Sequence, residues 1–273
     1  MSKKENTTTP TISLGGVEVT TPKTQTRRMS MIIWGPSGSG KTTLAATAPG
    51  PILWCNFDPD GTSSLGDRED IYIADFSMEK SSIVLKFKEE HCANIRGILE
   101  EHSEIETVVF DSITSFNEQS LKQGVSEVRG ATMEAPTLQG YGRRNSYTMQ
   151  GIMSFIRATG AHNKHCILIA HEDAPQKDEL TGQIMVSILV GGKMQSEIPI
   201  KLSEVWHLED TGKNRKITIR SNRLKKPMKS RMFKTSGDSD FTWNFDPETW
   251  EGEGIKDWYK SWTDANGQKI DIP

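Results

Sequence analysis

Eight residues, Gly35-Pro36-Ser37-Gly38-Ser39-Gly40-Lys41-Thr42, constrain this chain more than any other segment. They satisfy the pattern G-x-x-x-x-G-K-[ST] at every fixed position. Glycines let the backbone bend so that successive N–H groups converge on one point, and such a nest attracts anions. A helix opening near Lys41 adds the positive end of its dipole. In a loop of this kind Lys41 reaches the β- and γ-phosphates of a nucleotide, and the Thr42 hydroxyl ligates magnesium. With Thr43 just behind it, the whole stretch is read as the binding site for ATP and Mg2+. The apolar run "MSMIIW" precedes the loop and a helix follows it, which is the context the motif needs.

The rest of the chain is consistent with that start. "PILWCNF", "DIYIADF", "ETVVFDS" and "HCILIAH" are short, β-branched or aromatic runs bounded by turn residues. Runs of that kind read as buried parallel strands. Helical patterns lie between them at 80–101, 112–123 and 143–161. Strands alternating with helices predict an α/β fold, a mainly parallel sheet flanked by helices. "EVWHLEDTGKNRKITIRSN" carries two runs around Asp210-Thr211-Gly212 and predicts an antiparallel hairpin at one edge of the sheet. Residues 1–28 read as a flexible arm with a short extended segment at Ile12–Val19, 29–236 as the core, and 237–273 as a tail packed on it. Seven of the chain's twenty aromatics fall between Phe241 and Trp262. Trp243, Trp250, Trp258 and Trp262 suit docking of that tail better than stacking on bases.

Two further carboxylates belong to the nucleotide argument. A magnesium-phosphate site needs an acid at the end of a neighbouring strand, and "TVVFDS" supplies Asp111. The same position also suits a helix N-cap before Ile113. Hydrolysis needs a carboxylate to orient or deprotonate water, and "NFDPDG" offers Asp58 and Asp60, with Asp58 preferred. Asp-Pro-Asp-Gly is equally a turn sequence.

Composition narrows the partners. Net charge is −3, so any nucleic-acid contact needs a local basic patch rather than an overall field. The three cysteines lack paired or ligand-like spacing and read as reduced thiols. No run approaches the length that spans a membrane, and the reading is a cytoplasmic protein.

Together, "IIWGPSGSGKTTLAATAPGPILW", "TVVFDSIT", "GYGRRNSY", "CILIAHE" and "GGKMQSEIPIKLSEVWHLE" resemble the RecA-like P-loop ATPase core. The likeness is greatest to short phage-encoded recombinases and single-strand annealing proteins. It runs from about Met29 to Ser236 and leaves both ends uncovered. The resemblance implies ATP hydrolysis coupled to single-stranded DNA, and assembly into a filament or ring with nucleotide sites at subunit interfaces. It implies a phage-infected bacterial cell as the setting and a single-strand-binding protein as a further partner. His171 takes the place of a residue that senses the γ-phosphate, although a strand-end histidine also fits there. The segments Glu172–Gly192 and Leu121–Tyr141, the latter with Arg129, take the places of DNA-contacting loops. Asp58 replaces the family's usual glutamate, which implies slower hydrolysis.

"KNRKITIRSNRLKKPMKSRMFK", Lys213 to Lys234, has ten Lys or Arg among twenty-two residues and no acid. Ile217 and Ile219 mark one face of a strand, with Lys216, Thr218 and Arg220 on the other. The end of this run matches where RecA-like proteins insert cations into a neighbour's nucleotide site. Lys229 and Arg231 are the preferred trans-acting pair, Arg223 and Lys225 the next. The other cations, with Arg143 and Arg144, suit DNA phosphates. The N-terminal arm suits contact with a neighbouring subunit through Ile12, Leu14 and Val17, but disorder is the preferred reading. Two readings compete with a DNA-dependent ATPase: a nucleotide-switched DNA-binding protein with little turnover, and a small-molecule kinase using Arg143-Arg144 in a lid.

Overall fold

The computed structural model describes residues 12–19, 27–177, 182–222, 224–225, 227–234 and 240–273. Arg223 and most of the N-terminal arm, residues 1–11 and 20–26, lie outside the described residues.

Eight strands form one sheet. In chain order they are β1 (Ser30–Gly35), β2 (Ile52–Asn56), β3 (Ile71–Asp75), β4 (Thr107–Asp111), β5 (His165–His171), β6 (Glu204–Asp210), β7 (Arg215–Thr218) and β8 (Asp240–Trp243). Their spatial order is β8-β7-β6-β1-β5-β4-β2-β3. From β6 to β3 every pairing is parallel, while β7 adds antiparallel to β6 and β8 antiparallel to β7. This is a RecA-like α/β core, a mostly parallel sheet with an antiparallel extension. The hairpin is β6–β7, and its first strand is an interior member of the sheet, parallel to β1. A separate two-stranded hairpin, Ile12–Leu14 with Val17–Val19, occupies the extended segment of the arm.

Alternation along β1 builds two cores. Ile32 and Trp34 enter one layer, Met31 and Ile33 the other, and all four are fully buried. The first layer is filled by α2 (Cys92–Glu101), α3 (Ile113–Ser126) and α4 (Leu138–Ala161). The second holds α1 (Lys41–Ala46) and the C-terminal α6 (Ile255–Asp264). Between these in chain order, Met194–Ile200 forms α5. Phe241, Trp243, Ile255 and Trp258 are buried in the second layer, and Trp250 and Trp262 pack against it. Trp258 meets Trp206 and Phe233 at ring separations of 5.8 Å. The tail's rings are therefore spent on the core, where each large side chain contributes about 2–3 kcal/mol.

Three expectations need correcting. Helix α4 begins at Leu138, five residues ahead of the anticipated start, with the Thr137 hydroxyl accepting from Gly140 N at 3.2 Å as its cap. Within the segment expected as a DNA-contacting loop, Gly124 and Gly140 are contact points: a Cβ on Gly124 would lie 2.8 Å from the Gly140 carbonyl oxygen, so α3 and α4 touch there backbone to backbone. Leu121–Tyr141 is thus mostly helical at both ends, with only residues 127–137 between helices. Thr218 is buried, not on an open face: β7 is interior to the sheet there, with Thr218 paired to His207 on β6 and Asp240 on β8.

Candidate nucleotide site

The parallel strands end together, and their carboxyl ends carry the polar groups. Gly35 closes β1 beside β6, where a Cβ would run into the Leu208 carbonyl oxygen. The loop then turns through Gly38 and Gly40, both at positive φ, into α1. Lys41 is buried and donates from Nζ to the Pro36 carbonyl at 2.5 Å. Burial lowers its pKa to about 8, opposed by the charges of Asp111, Asp58 and Glu172. The Ser39 hydroxyl is buried with no hydrogen-bond partner among the described residues. An unsatisfied buried hydroxyl in an N–H-rich loop fits a site built to receive an anion's oxygens.

Asp111 ends β4, one strand removed from β1 because β5 lies between them. Its Oδ2 still accepts from the Thr42 hydroxyl at 3.3 Å. The helix cap that competed for this position falls on Ser112, whose Oγ accepts from Ser115 N at 3.3 Å. Burial, then the charge of Asp58, raises the Asp111 pKa to about 7, against the Thr42 hydrogen bond. Among the described residues no cluster of three His, Cys, Asp or Glu forms. A metal held by Thr42 and Asp111 would complete its shell with water and substrate oxygens, as magnesium does.

Asp58 follows β2 and faces this pair across the cleft. Its Oδ1 accepts from Ser112 Oγ at 2.9 Å and from Ser115 Oγ, and its Oδ2 meets His171 Nε2 at 3.2 Å. Burial would raise its pKa, but these hydrogen bonds, led by that of His171, outweigh it and leave a net lowering. Asn56 holds the backbone here, accepting from Asp58 N at 3.2 Å and donating to Asp58 O at 3.0 Å. Asp60 is exposed in the turn with φ 56° and does not line the cleft.

The cleft encloses about 810 Å³ and is lined by the loop, Lys41, Thr42, Thr43, Asp58, Asp111, Ser115 and His171. Residues 27–240 match a family described as an AAA domain. The chain belongs to this AAA-domain family. Such a domain carries nucleotide-binding and ATPase capability in general. No curated protein matches the chain. Among solved structures, the crystal structure of the RadB recombinase is similar at 13% identity and TM-score 0.42, covering 80% of this chain and 88% of that one.

The basic stretch of this AAA domain is dispersed in space. Lys216 pairs with Asp240 at 3.0 Å, Lys225 with Glu209 at 2.8 Å and Lys234 with Asp271 at 2.9 Å. Lys229 bridges to Val205 and Arg231 N donates to Glu204 Oε1, near the amino end of β6. Neither lines the chain's own cleft. Arg143 is paired with Glu127 at 2.6 Å, and Arg144 lies over the Tyr141 ring at 5.0 Å. Neither lines the cleft, so the lid that a kinase would need is not built from them.

Sequence reasoning missed four participants. "DSITS" signals only the start of a helix, yet Ser112 and Ser115 both hold Asp58. Arg215 lines the cleft, and a Cβ on Gly40 would lie 3.2 Å from its Nε. Its signal is topological: β6 runs parallel to β1, so the turn after Asp210 emerges beside the phosphate loop. Glu172, next to His171, binds the buried His207 on β6 at 2.5 Å, and burial lowers the His207 pKa to about 3.

Proposed function

We propose that this AAA domain is an ATPase that couples nucleotide binding to assembly on single-stranded DNA. The observation that carries the reading is the facing arrangement of Lys41, Thr42 and Asp111 against Asp58, Ser115 and His171 across one cleft. Lys41 and the loop amides would hold the phosphates, and Thr42 with Asp111 would hold magnesium, which supplies charge neutralisation. Asp58 orients the attacking water, and His171 fixes Asp58 and reports on the γ-phosphate. Support for a link to DNA lies in the segment after His171. The His171 carbonyl accepts from Leu189 N at 2.8 Å, and Glu172 bridges to Ile188. Between these ties Gln176–Lys177 pairs with Ile184–Met185 as a hairpin, within the segment expected to touch DNA. Lys229 and Arg231, outside their own cleft, serve a neighbouring subunit's phosphates in a filament or ring.

A second reading, a nucleotide switch with slow turnover, is favoured by one observation. Asp58 already accepts hydrogen bonds from two serines and meets His171, leaving little of the carboxylate for water.

ATP hydrolysis with and without single-stranded DNA, with Lys41→Ala as the blank, tests both. Stimulation by DNA that is lost in Lys41→Ala and Arg231→Ala supports the coupled ATPase. ATP-dependent DNA binding without turnover selects the switch. Absence of any DNA effect on binding or hydrolysis overturns both.

A further inference from the structure

The phosphate-end chemistry occupies one side of the cleft, where Asp58, Asp111 and His171 converge. The other side is bounded by Thr43, Arg215 and Pro247, and it continues into a second hollow of about 700 Å³ that shares Arg215 and Pro247. The volume lies in the range of small-molecule sites. Its walls are the turn carrying Asn214 and Arg215 and the segment from Trp243 to Gly252.

Those walls are suited to a flat ring. The Arg215 guanidinium lies over the Trp243 ring at 5.6 Å from its centroid, and Trp243 stacks on Phe245 with ring centroids 5.2 Å apart and planes 15° from parallel. No carboxylate among the described residues pairs with Arg215. The opposite wall is held in shape by Asp246, whose Oδ1 accepts from Glu248 N at 2.8 Å and Thr249 N at 3.4 Å. Across the cleft, the alternative lining of Gly61, Ser63 and Ser64 offers no planar surface. A guanidinium is planar and stacks on π-systems, whereas a lysine ammonium is a point charge.

We propose that this hollow is the nucleoside subsite, with the nucleobase stacked on the face of Arg215 against Pro247. The inference rests on the reading of the cleft as a nucleotide site and adds which end holds the base. It makes Arg215 a binding residue supplied by the chain's own β6–β7 turn, distinct from the trans-acting cations proposed for Lys229 and Arg231.

Two measurements test it. Irradiation with 8-azido-ATP, followed by peptide mapping, is expected to label residues in Lys213–Arg215 or Trp243–Gly252, with the label competed away by ATP. Labelling of Gly61–Leu65 overturns the proposal. Equilibrium binding of ATP and of inorganic tripolyphosphate is then compared between the wild type and Arg215→Lys, which keeps the charge and removes the plane. The expected result is roughly tenfold weaker ATP binding with tripolyphosphate changed by less than about twofold. Equal losses for both ligands, or none for either, overturn the stacking role. Wild-type binding of tripolyphosphate with no gain for ATP overturns the subsite and leaves the phosphate site standing. Binding of neither ligand removes the nucleotide reading and the subsite with it.

Discussion

The carboxyl edge of the sheet and the Lys213–Lys234 stretch are both rich in charge, and they use it in opposite ways. At the edge, groups from four separate segments converge: Lys41, Asp58, Asp111 and His171 share one cleft. Burial there displaces the titrations of Lys41 and Asp111 from their ordinary values in opposite directions. In the basic stretch, ten cations lie close together in sequence, and those among the described residues scatter in space. Among the described residues Lys216, Lys225 and Lys234 each meet a carboxylate, and Arg215 lines the cleft. Charge density along a chain is therefore a poor guide to charge density in space. A group of three or four side chains brought together by parallel strands perturbs its members more than a run of like charges that the surface disperses.

The comparison is most exposed to failure at Lys41. Lys41→Ala is expected to reduce ATP hydrolysis by about 100-fold or more, because the phosphate-reaching cation is lost from a buried site. A variant that folds by circular dichroism yet keeps wild-type turnover would remove the cleft from the argument.

Asp111 offers the next largest effect, and its sign is distinctive. Its folded-state pKa, about 7, lies above the ordinary carboxylate value, so the folded protein holds this proton more tightly. The stability it contributes is present at low pH and is lost as pH rises from about 4 through 7. The loss amounts to as much as about 4 kcal/mol. Asp111→Asn is accordingly expected to raise the melting temperature at pH 8 relative to wild type, in the absence of nucleotide and magnesium, and to gain nothing at pH 4. The same substitution is expected to abolish the magnesium-dependent hydrolysis proposed for the cleft. A variant less stable than wild type at pH 8 would show that Asp111 is held by partners rather than strained by burial and the charge of Asp58.

A smaller effect is expected at His171. The hydrogen bond from His171 leads the group that holds the Asp58 pKa down. His171→Ala should lower hydrolysis about tenfold and move the acidic limb of its pH profile upward, since burial then acts on Asp58 with less opposition. A fall in rate with an unmoved acidic limb would mean that His171 acts on something other than Asp58.

These effects also mark what the sequence could carry. The phosphate loop, the strands and Asp111 were legible because each has a local signature: fixed glycines, apolar runs, an acid at a strand end. Asp58's serine partners were not, because "DSITS" signals only a helix start and the fold alone brings Ser112 and Ser115 to Asp58. The α3–α4 contact was hidden for a related reason. Glycine at Gly124 and Gly140 signals a turn in one dimension and a close approach between helices in three. Arg215 was hidden inside its own neighbourhood, one cation among ten, with only the parallel pairing of β6 and β1 to single it out. The order of β4 and β5 was likewise beyond a one-dimensional reading, since long crossovers leave strand order open.

The smallest effects test the basic stretch itself. Lys225 and Lys234 belong to one run and each has one carboxylate partner, but their surroundings differ. The Lys225 side chain is 11% exposed, and its partner Glu209 is 32% exposed. The Lys234 side chain is 51% exposed and Asp271 84%. Screening leaves an exposed pair worth about 0–0.5 kcal/mol, whereas a partly buried pair leaves an uncompensated charge when one member is removed and costs about 1–2 kcal/mol. Lys225 also lies close enough to Glu172 to oppose the upward shift that burial imposes on that carboxyl. Lys225→Met should therefore lower the urea midpoint measurably, and the loss should shrink only slightly at high salt. Lys234→Met should change it by little, with whatever change exists vanishing at about 1 M salt. Equal and salt-sensitive losses at both positions would mean that the run acts as one continuous field after all. The contrast between a dispersed stretch and a converging cleft would then have to be drawn from its geometry alone.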